Sequence, residues 1–280
     1  MALFINLSAK WCNLLEKWEQ VEGYFGHQKY LKMKFTFISV LFLIFSMVEH
    51  WSFLLTSLIM TDKVDFHEVF EMCISNMFPQ VFSVVQYNVW IAILTLIINS
   101  VSTLSYCFAD QVIIMGSMAL GDYLKLFTER LNEYRGKVIT PKQWKTLRVD
   151  YTRLCSLART LDDCLCHLLC VSLLIHLYII CLEMRQGVTK SDQYPNISKD
   201  VHTILSFSVS TLRACSLCLS SVRIYENSKG PLETLYNIPQ QSYCKEVELF
   251  MLQMQKDDIG LTGSHMFLMT RKFLLTVRIF

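Results

Sequence analysis

The sequence predicts an all-α fold, a polytopic bundle of membrane-spanning helices with long cytoplasmic helix extensions. Three observations carry that prediction. Of 280 residues, 52% are hydrophobic and only 18% charged, where soluble domains carry about 25% charged residues; mean hydropathy is +0.34. Apolar runs at 35–60, 83–107, 164–184 and 202–222 each reach the roughly 20 residues that a spanning helix needs. The polar stretches between them keep a helical period instead of a loop composition.

Composition also excludes function classes. A net charge of +2 is too small for a nucleic-acid surface. The start, MALFINLSAK, lacks the basic region, apolar core and small-residue cleavage site of a signal peptide. The 11 cysteines are odd in number and mostly lie in apolar runs, where cysteine serves as a small helix residue, not as a disulfide framework.

Residues 1–34 read as a cytoplasmic amphipathic helix. Leu7, Trp11, Leu14, Trp18, Val21 and Phe25 recur on one face, with Lys10, Asn13, Glu16, Lys17, Glu19 and Gln20 between them. That face suits either a membrane surface or neighbouring cytoplasmic helices. The first span, 35–60, is interrupted only by Glu49 and His50. An acidic loop follows, and then the second span at 83–107, whose outer part carries Gln86, Tyr87, Asn88 and Trp90.

Residues 108–163 form a cytoplasmic helical region. Trp144, Leu147, Tyr151, Leu154, Ala158 and Leu161 make a stripe that continues into Leu165 and Leu168 of the third span. One continuous helix is expected, starting near Pro141, since proline suits a first helical turn. The third span is 164–184 and the fourth is 202–222, with Arg213 near its middle. Residues 223–263 read as a cytoplasmic anchor helix, in which Tyr243, Val247, Phe250 and Met254 share a face, ending in a hinge at Gly260 and Gly263. From Ser264 to Phe280 a last apolar helix is expected, shorter than a full span. It reads as the cut end of a pore-type helix in an incomplete copy of a longer protein.

Lysine and arginine set the orientation. Lys10, Lys17, Lys29, Lys32 and Lys34 precede the first span, and Lys125, Arg130, Arg135, Lys137, Lys142, Lys145, Arg148, Arg153 and Arg159 crowd the middle region. The alternate loops carry Lys63 and then Arg185, Lys190 and Lys199. The positive-inside rule places the N-terminus in the cytoplasm. The sequon at Asn196 then falls outside, where glycosylation is possible.

Chemistry-bearing residues are few. Glu49 and Arg213 fall near the midplane of different spans, where a charge facing lipid costs about 2.5–3.5 kcal/mol on an insertion scale. Both are expected to face the bundle interior and pair. His50, Gln86, Tyr87, Trp90, His176 and Tyr178, with Glu49, supply rings and polar groups suited to stacking on a polyhydroxylated ligand and meeting its hydroxyls; an interfacial aromatic belt is the other reading. Cys164, Cys166, Cys170, Cys215 and Cys218 sit in apolar helices with no loop to present them, so no metal site is expected. His67 to Glu71 lacks the second histidine of a zincin. There is no phosphate loop, no nucleophile elbow and no cofactor motif, so neither a catalytic residue nor an enzyme is expected. A transporter would show internal repeats, and the chain has no convincing ones.

The segments Trp11 to Glu22, Val48-Glu49-His50, HLYIIC at 176–181, and above all PLETLYNIPQQSYCKEVELF with QMQKDDIGLTGSHMFLMTR across 231–271, resemble insect gustatory receptors of the sugar-receptor branch. The resemblance implies a seven-helix receptor with its N-terminus inside, assembled as a homo- or heterotetrameric, ligand-gated, non-selective cation channel in the plasma membrane. It implies an anchor layer of cytoplasmic helices, a pore lined by the last helix, and a sugar pocket in the outer half of each bundle. Its expected partners are a sugar, other gustatory receptor subunits and membrane lipids. The spans here would be the third to sixth with part of the seventh. The TYhhhhhQF signature is not present and the pattern departs at Arg278, which raises the alternative of a fragment that does not conduct by itself.

Overall fold

The computed structural model describes residues 2–26, 29–59, 66–188 and 197–277. Asn196 and Arg278 lie outside the described residues. The elements are α1 (Ala2–Phe25), α2 (Lys29–Ile59), α3 (Phe66–Met77), α4 (Pro79–Phe82), α5 (Val89–Asn132), α6 (Pro141–Val188), α7 (Ile197–Lys229), α8 (Pro231–Tyr236), a 3-10 turn at Gln240–Ser242, α9 (Lys245–Lys256), β1 (Thr262–Gly263), β2 (Phe267–Leu268) and α10 (Arg271–Val277). Stretches of α2, α5 and α6, and one from Val201 to Tyr236, are long and apolar enough to cross a membrane. The chain divides into two compact units. The first holds Met1–Phe35, Val112–Leu173 and Cys215–Phe280; the second holds Thr36–Gln111 and Leu174–Ala214.

The first unit is built around α6. Thr140 and Gln143 form a reciprocal cap: the Thr140 N–H donates to Gln143 Oε1 at 3.0 Å, and the Gln143 N–H donates to Thr140 Oγ1 at 3.4 Å. This satisfies donors that a helix start leaves open, and Pro141 fills the first turn. The stripe from Trp144 to Leu168 is buried at every position expected. Tyr151 meets Phe127 of α5 at 5.6 Å and Phe250 of α9 at 5.5 Å between ring centroids. Its hydroxyl donates to the Ser228 carbonyl at 3.2 Å. Val247 and Met254 of α9 are buried with Phe250, whereas Tyr243 lies before the helix and is exposed. One face of α1 is buried through Leu7, Leu14 and Val21, and Lys17 Nζ donates to Thr160 Oγ1 at 2.6 Å.

The chain after Gly260 departs from the expected helix at Ser264. Residues 262–268 form a hairpin in which Thr262 pairs with Leu268 and Gly263 with Phe267, and the helix starts only at Arg271. Ser264 and His265 take the positive φ values, 49° and 58°, that turn the chain. The tip is held by α6: the Ser264 N–H donates to the Cys166 carbonyl at 3.0 Å, and Asp162 accepts from the Thr262 N–H at 2.6 Å and from its hydroxyl. Gly263 lets the Phe267 ring lie close against the backbone: a Cβ there would stand 2.2 Å from the ring, which would have to shift. The two glycines thus sit in and beside a docked hairpin.

The second unit contains parts of α2, α5, α6 and α7 together with α3 and α4. Its second apolar run, expected to be helical from 83, starts its helix at Val89. The Asn88 side chain ends the preceding turn by accepting from the Trp90 N–H at 2.9 Å, as a helix-capping residue does. Ile74, Phe78 and Ala92 form a small core beside this start, with Tyr87 packed against it. Elsewhere many apolar side chains of the unit point outward, among them Val40, Ile44, Leu94, Ile98, Leu174 and Ile204. Outward-facing apolar chains on helices of spanning length suit a lipid surround.

Candidate functional site

The interior of the second unit is polar, which sets it apart from a soluble core. Arg213 of α7 is 4% exposed, and its Nη2 lies 3.6 Å from Glu49 Oε2 of α2. Its guanidinium carbon stands 5.8 Å from the centre of the Tyr106 ring on α5, within reach of a cation–π contact. The Tyr106 hydroxyl is 2.5 Å from His176 Nδ1 on α6. His176 Nε2 is in turn 3.1 Å from Asp110 Oδ2 on α5. His176 and Asp110 are 1% and 0% exposed. On the other side of the arginine pair, Ser206 Oγ of α7 lies 3.2 Å from Glu49 Oε1 and 2.9 Å from Glu183 Oε1 of α6.

Four helices thus bring polar groups into one interior by simple spacing. Tyr106 and Asp110 are four residues apart in α5 and share a face. Ser206 and Arg213 are seven apart, or two turns, in α7, as are His176 and Glu183 in α6. Smaller pairs extend the polar interior: Ser46 Oγ with Cys107 Sγ at 2.9 Å, Ser52 Oγ with His202 Nδ1 at 3.0 Å, and Ser100 Oγ with His50 Nε2 at 3.4 Å. Arg213 Nε, Arg213 Nη2 and Asp110 Oδ1 are buried and make no hydrogen bond within the described residues. Buried polar groups normally find a partner, so these atoms have capacity for a polar guest or water.

The residues singled out from the sequence divide into two sets. Glu49, Arg213 and His176 converge in the interior, with His50 on Ser100 nearby in the same unit. Gln86 is exposed, and Trp90 and Tyr178 are 78% and 64% exposed; Tyr87 packs on the small core under α3. The structure does not bring those four to the polar cluster. Sequence reasoning missed Tyr106, Asp110, Glu183 and Ser206. The signal for the first two was the Tyr-x-x-x-Asp spacing at the end of the second apolar run. Among the described residues no set of side chains is arranged to hold a metal ion; in the first unit Cys166 Sγ stands 3.3 Å from His265 Nε2, whose Nδ1 lies 3.6 Å from Asp162 Oδ2 at the docked hairpin.

Residues 1–279 match the trehalose receptor family. The chain belongs to that family. It is 25% identical to the gustatory receptor for sugar taste 64f of Drosophila melanogaster, covering 98% of this chain and 59% of the relative. It is likewise 25% identical to the gustatory receptor 5a for trehalose of the same fly, over 98% of this chain and 62% of the relative. The chain therefore spans about three fifths of the length of these relatives. Among solved structures it is similar to the olfactory receptor OR5 of Machilis hrabei in complex with eugenol, with a TM-score of 0.51 at 10% identity, over 99% of this chain and 76% of that one. That likeness establishes the fold, a helical bundle of the insect chemosensory type. The family is one of receptors, not enzymes, and its apolar helices make the chain a multi-pass membrane protein.

Proposed function

We propose that this chain is a subunit of a sugar taste receptor, working in the plasma membrane of gustatory neurons as part of a ligand-gated, non-selective cation channel with its N-terminus in the cytoplasm. The family match across residues 1–279 carries this reading, supported by the relatives named for sugar taste and trehalose. The polar interior of the second unit suits a polyhydroxylated ligand, because carboxylate, imidazole, hydroxyl and guanidinium groups converge there. Glu49, His50 and His176 are the members named from the sequence, and Trp90, Gln86, Tyr87 and Tyr178 are candidate ligand contacts elsewhere in the unit. A sugar that binds the open state more tightly than the closed one shifts the population toward opening, and the pore opens as a hydrophobic constriction wets. Partners are other gustatory receptor subunits in a homo- or heterotetramer, and lipid.

The test is calcium imaging and whole-cell recording in cells expressing this chain alone and with full-length sugar receptor subunits, over a panel of sugars. Sugar-evoked cation current from the chain alone supports the full reading. Current only in co-expression identifies an assembly partner, the second reading. Sugar responses in neither condition refute both.

A further inference from the structure

The hydrogens around Ser206 do not balance if both neighbouring carboxyls are ionised. Ser206 Oγ lies 3.2 Å from Glu49 Oε1 and 2.9 Å from Glu183 Oε1. A hydroxyl has one hydrogen to donate and otherwise accepts. It can donate to one carboxylate; the other short contact needs a carboxyl O–H that donates to the serine oxygen. Charge counting agrees. Arg213 contacts Glu49, and among the described residues no ion pair forms to Glu183.

The other titratable groups facing this place have their own partners. On α5, Asp110 is matched with His176 of α6, and the Tyr106 hydroxyl also meets His176. Cys107 bonds Ser46, His202 Nδ1 of α7 faces Ser52, and His50 Nε2 of α2 faces Ser100. Arg213, itself buried with Nε and Nη2 free of hydrogen bonds, points its Nη2 at Glu49. One arginine thus stands against two half-buried carboxyls, the Glu49 side chain being 23% exposed, and a second negative charge that close to the first is disfavoured by like-charge repulsion.

We propose that Glu49, Ser206 and Glu183 form a proton-binding site, in which the two carboxyls share a single exchangeable proton through the serine hydroxyl. The ligand is a proton, so the site needs no cavity. Loaded, the cluster of Glu49, Glu183 and Arg213 is neutral; unloaded, it carries one net negative charge inside the bundle. Such a site makes the arrangement of α2, α6 and α7 responsive to pH, with the proton lost as the pH rises above neutral, whatever sugar the receptor takes.

Infrared difference spectroscopy of the purified 280-residue chain in lipid nanodiscs at neutral pH tests this without any sugar response. Subtracting the spectrum of Glu183→Gln from wild type is expected to reveal one lost carboxylic-acid C=O band that shifts in D2O, with no lost carboxylate band. Glu49→Gln is expected to give the same difference, and Ser206→Ala to shift the acid band without removing it. Glu183→Gln leaves the Glu49–Arg213 pair in place, so it carries the test if Glu49→Gln does not fold. Asp110→Asn is expected to leave the acid band untouched. If Glu183→Gln removes a carboxylate band instead, both carboxyls are ionised around a three-centre serine bond and the proposal is wrong. An acid band that survives Glu183→Gln and disappears with Asp110→Asn overturns it equally.

Discussion

The two units of this chain bury opposite things. In the first, the interior is mainly apolar, with Trp144, Phe127, Tyr151 and Phe250 buried, and Asp150 and Asp162 as buried carboxyl groups. In the second, the interior is Arg213, His176 and Asp110, and the large apolar side chains face out. Different surroundings produce such an inversion. In water, apolar surface is driven inward at roughly 25 cal/mol per Å². In lipid that drive is lost, and packing and polar contacts between helices hold a bundle together. The same long helices, α5, α6 and α7, contribute residues to both units, so the inversion happens within single helices. In α6 it falls between Leu168 and His176.

The largest effect is expected from removing one charge from the polar interior. Arg213→Gln leaves Glu49 without its cation, and losing one partner of a buried pair costs about 3–5 kcal/mol. The expected outcome is loss of the monodisperse peak in fluorescence-detected size exclusion. The double replacement Glu49→Gln with Arg213→Gln should recover most of it. Failure of the double variant to improve on the single one would mean that the pair is not the reason.

The matching perturbation in the first unit is Phe250→Ala. It removes a ring that touches both Tyr151 and Phe127, and such truncations cost about 3–5 kcal/mol where the site cannot collapse. Thermal melts of the detergent-solubilised chain should fall, and the same substitution at exposed Trp90 should leave them nearly unchanged. If Trp90→Ala destabilises as much as Phe250→Ala, the outward assignment of that face is wrong.

The first unit's helical core was legible in the sequence because its signal is periodic. Every stripe residue from Trp144 to Leu168 is buried, and the cap at Thr140 precedes a proline start. The hairpin was not legible. Met266, Phe267, Leu268 and Met269 are as apolar as a membrane helix, and the turn is made by Ser264 and His265, not by the glycines. What fixes it is Asp162, about a hundred residues earlier, which a local pattern does not reveal. The polar cluster was half legible. Glu49 and Arg213 stood out because each interrupts an apolar run. Asp110 did not, since it lies just past the run at 83–107 and was counted with the polar region. Ser206 and Glu183 did not, because a serine or a span-end glutamate is ordinary until a partner helix faces it.

Two smaller effects are expected at the hairpin. Gly263→Ala puts a methyl group into the Phe267 ring, and overpacking costs about 1–3 kcal/mol. Adding Phe267→Ala should relieve part of that loss. If it relieves none, the glycine serves a purpose other than close approach.

Asp162→Asn should have the smaller effect of the two. The amide oxygen can still accept from Thr262, so one charge-assisted bond becomes a neutral one, and hydrogen bonds to charged groups exceed neutral ones by about 1 kcal/mol. Asp162→Leu removes the acceptor altogether and leaves the Thr262 N–H and hydroxyl without it. Hydrogen exchange at the amides of residues 262–268 reads this directly. Exchange should speed up slightly in Asp162→Asn and strongly in Asp162→Leu, while the amides around Tyr151 stay protected. Equal acceleration around Tyr151 would show that the hairpin and the aromatic core melt as one cooperative unit, and that Asp162 is a core residue of the first unit.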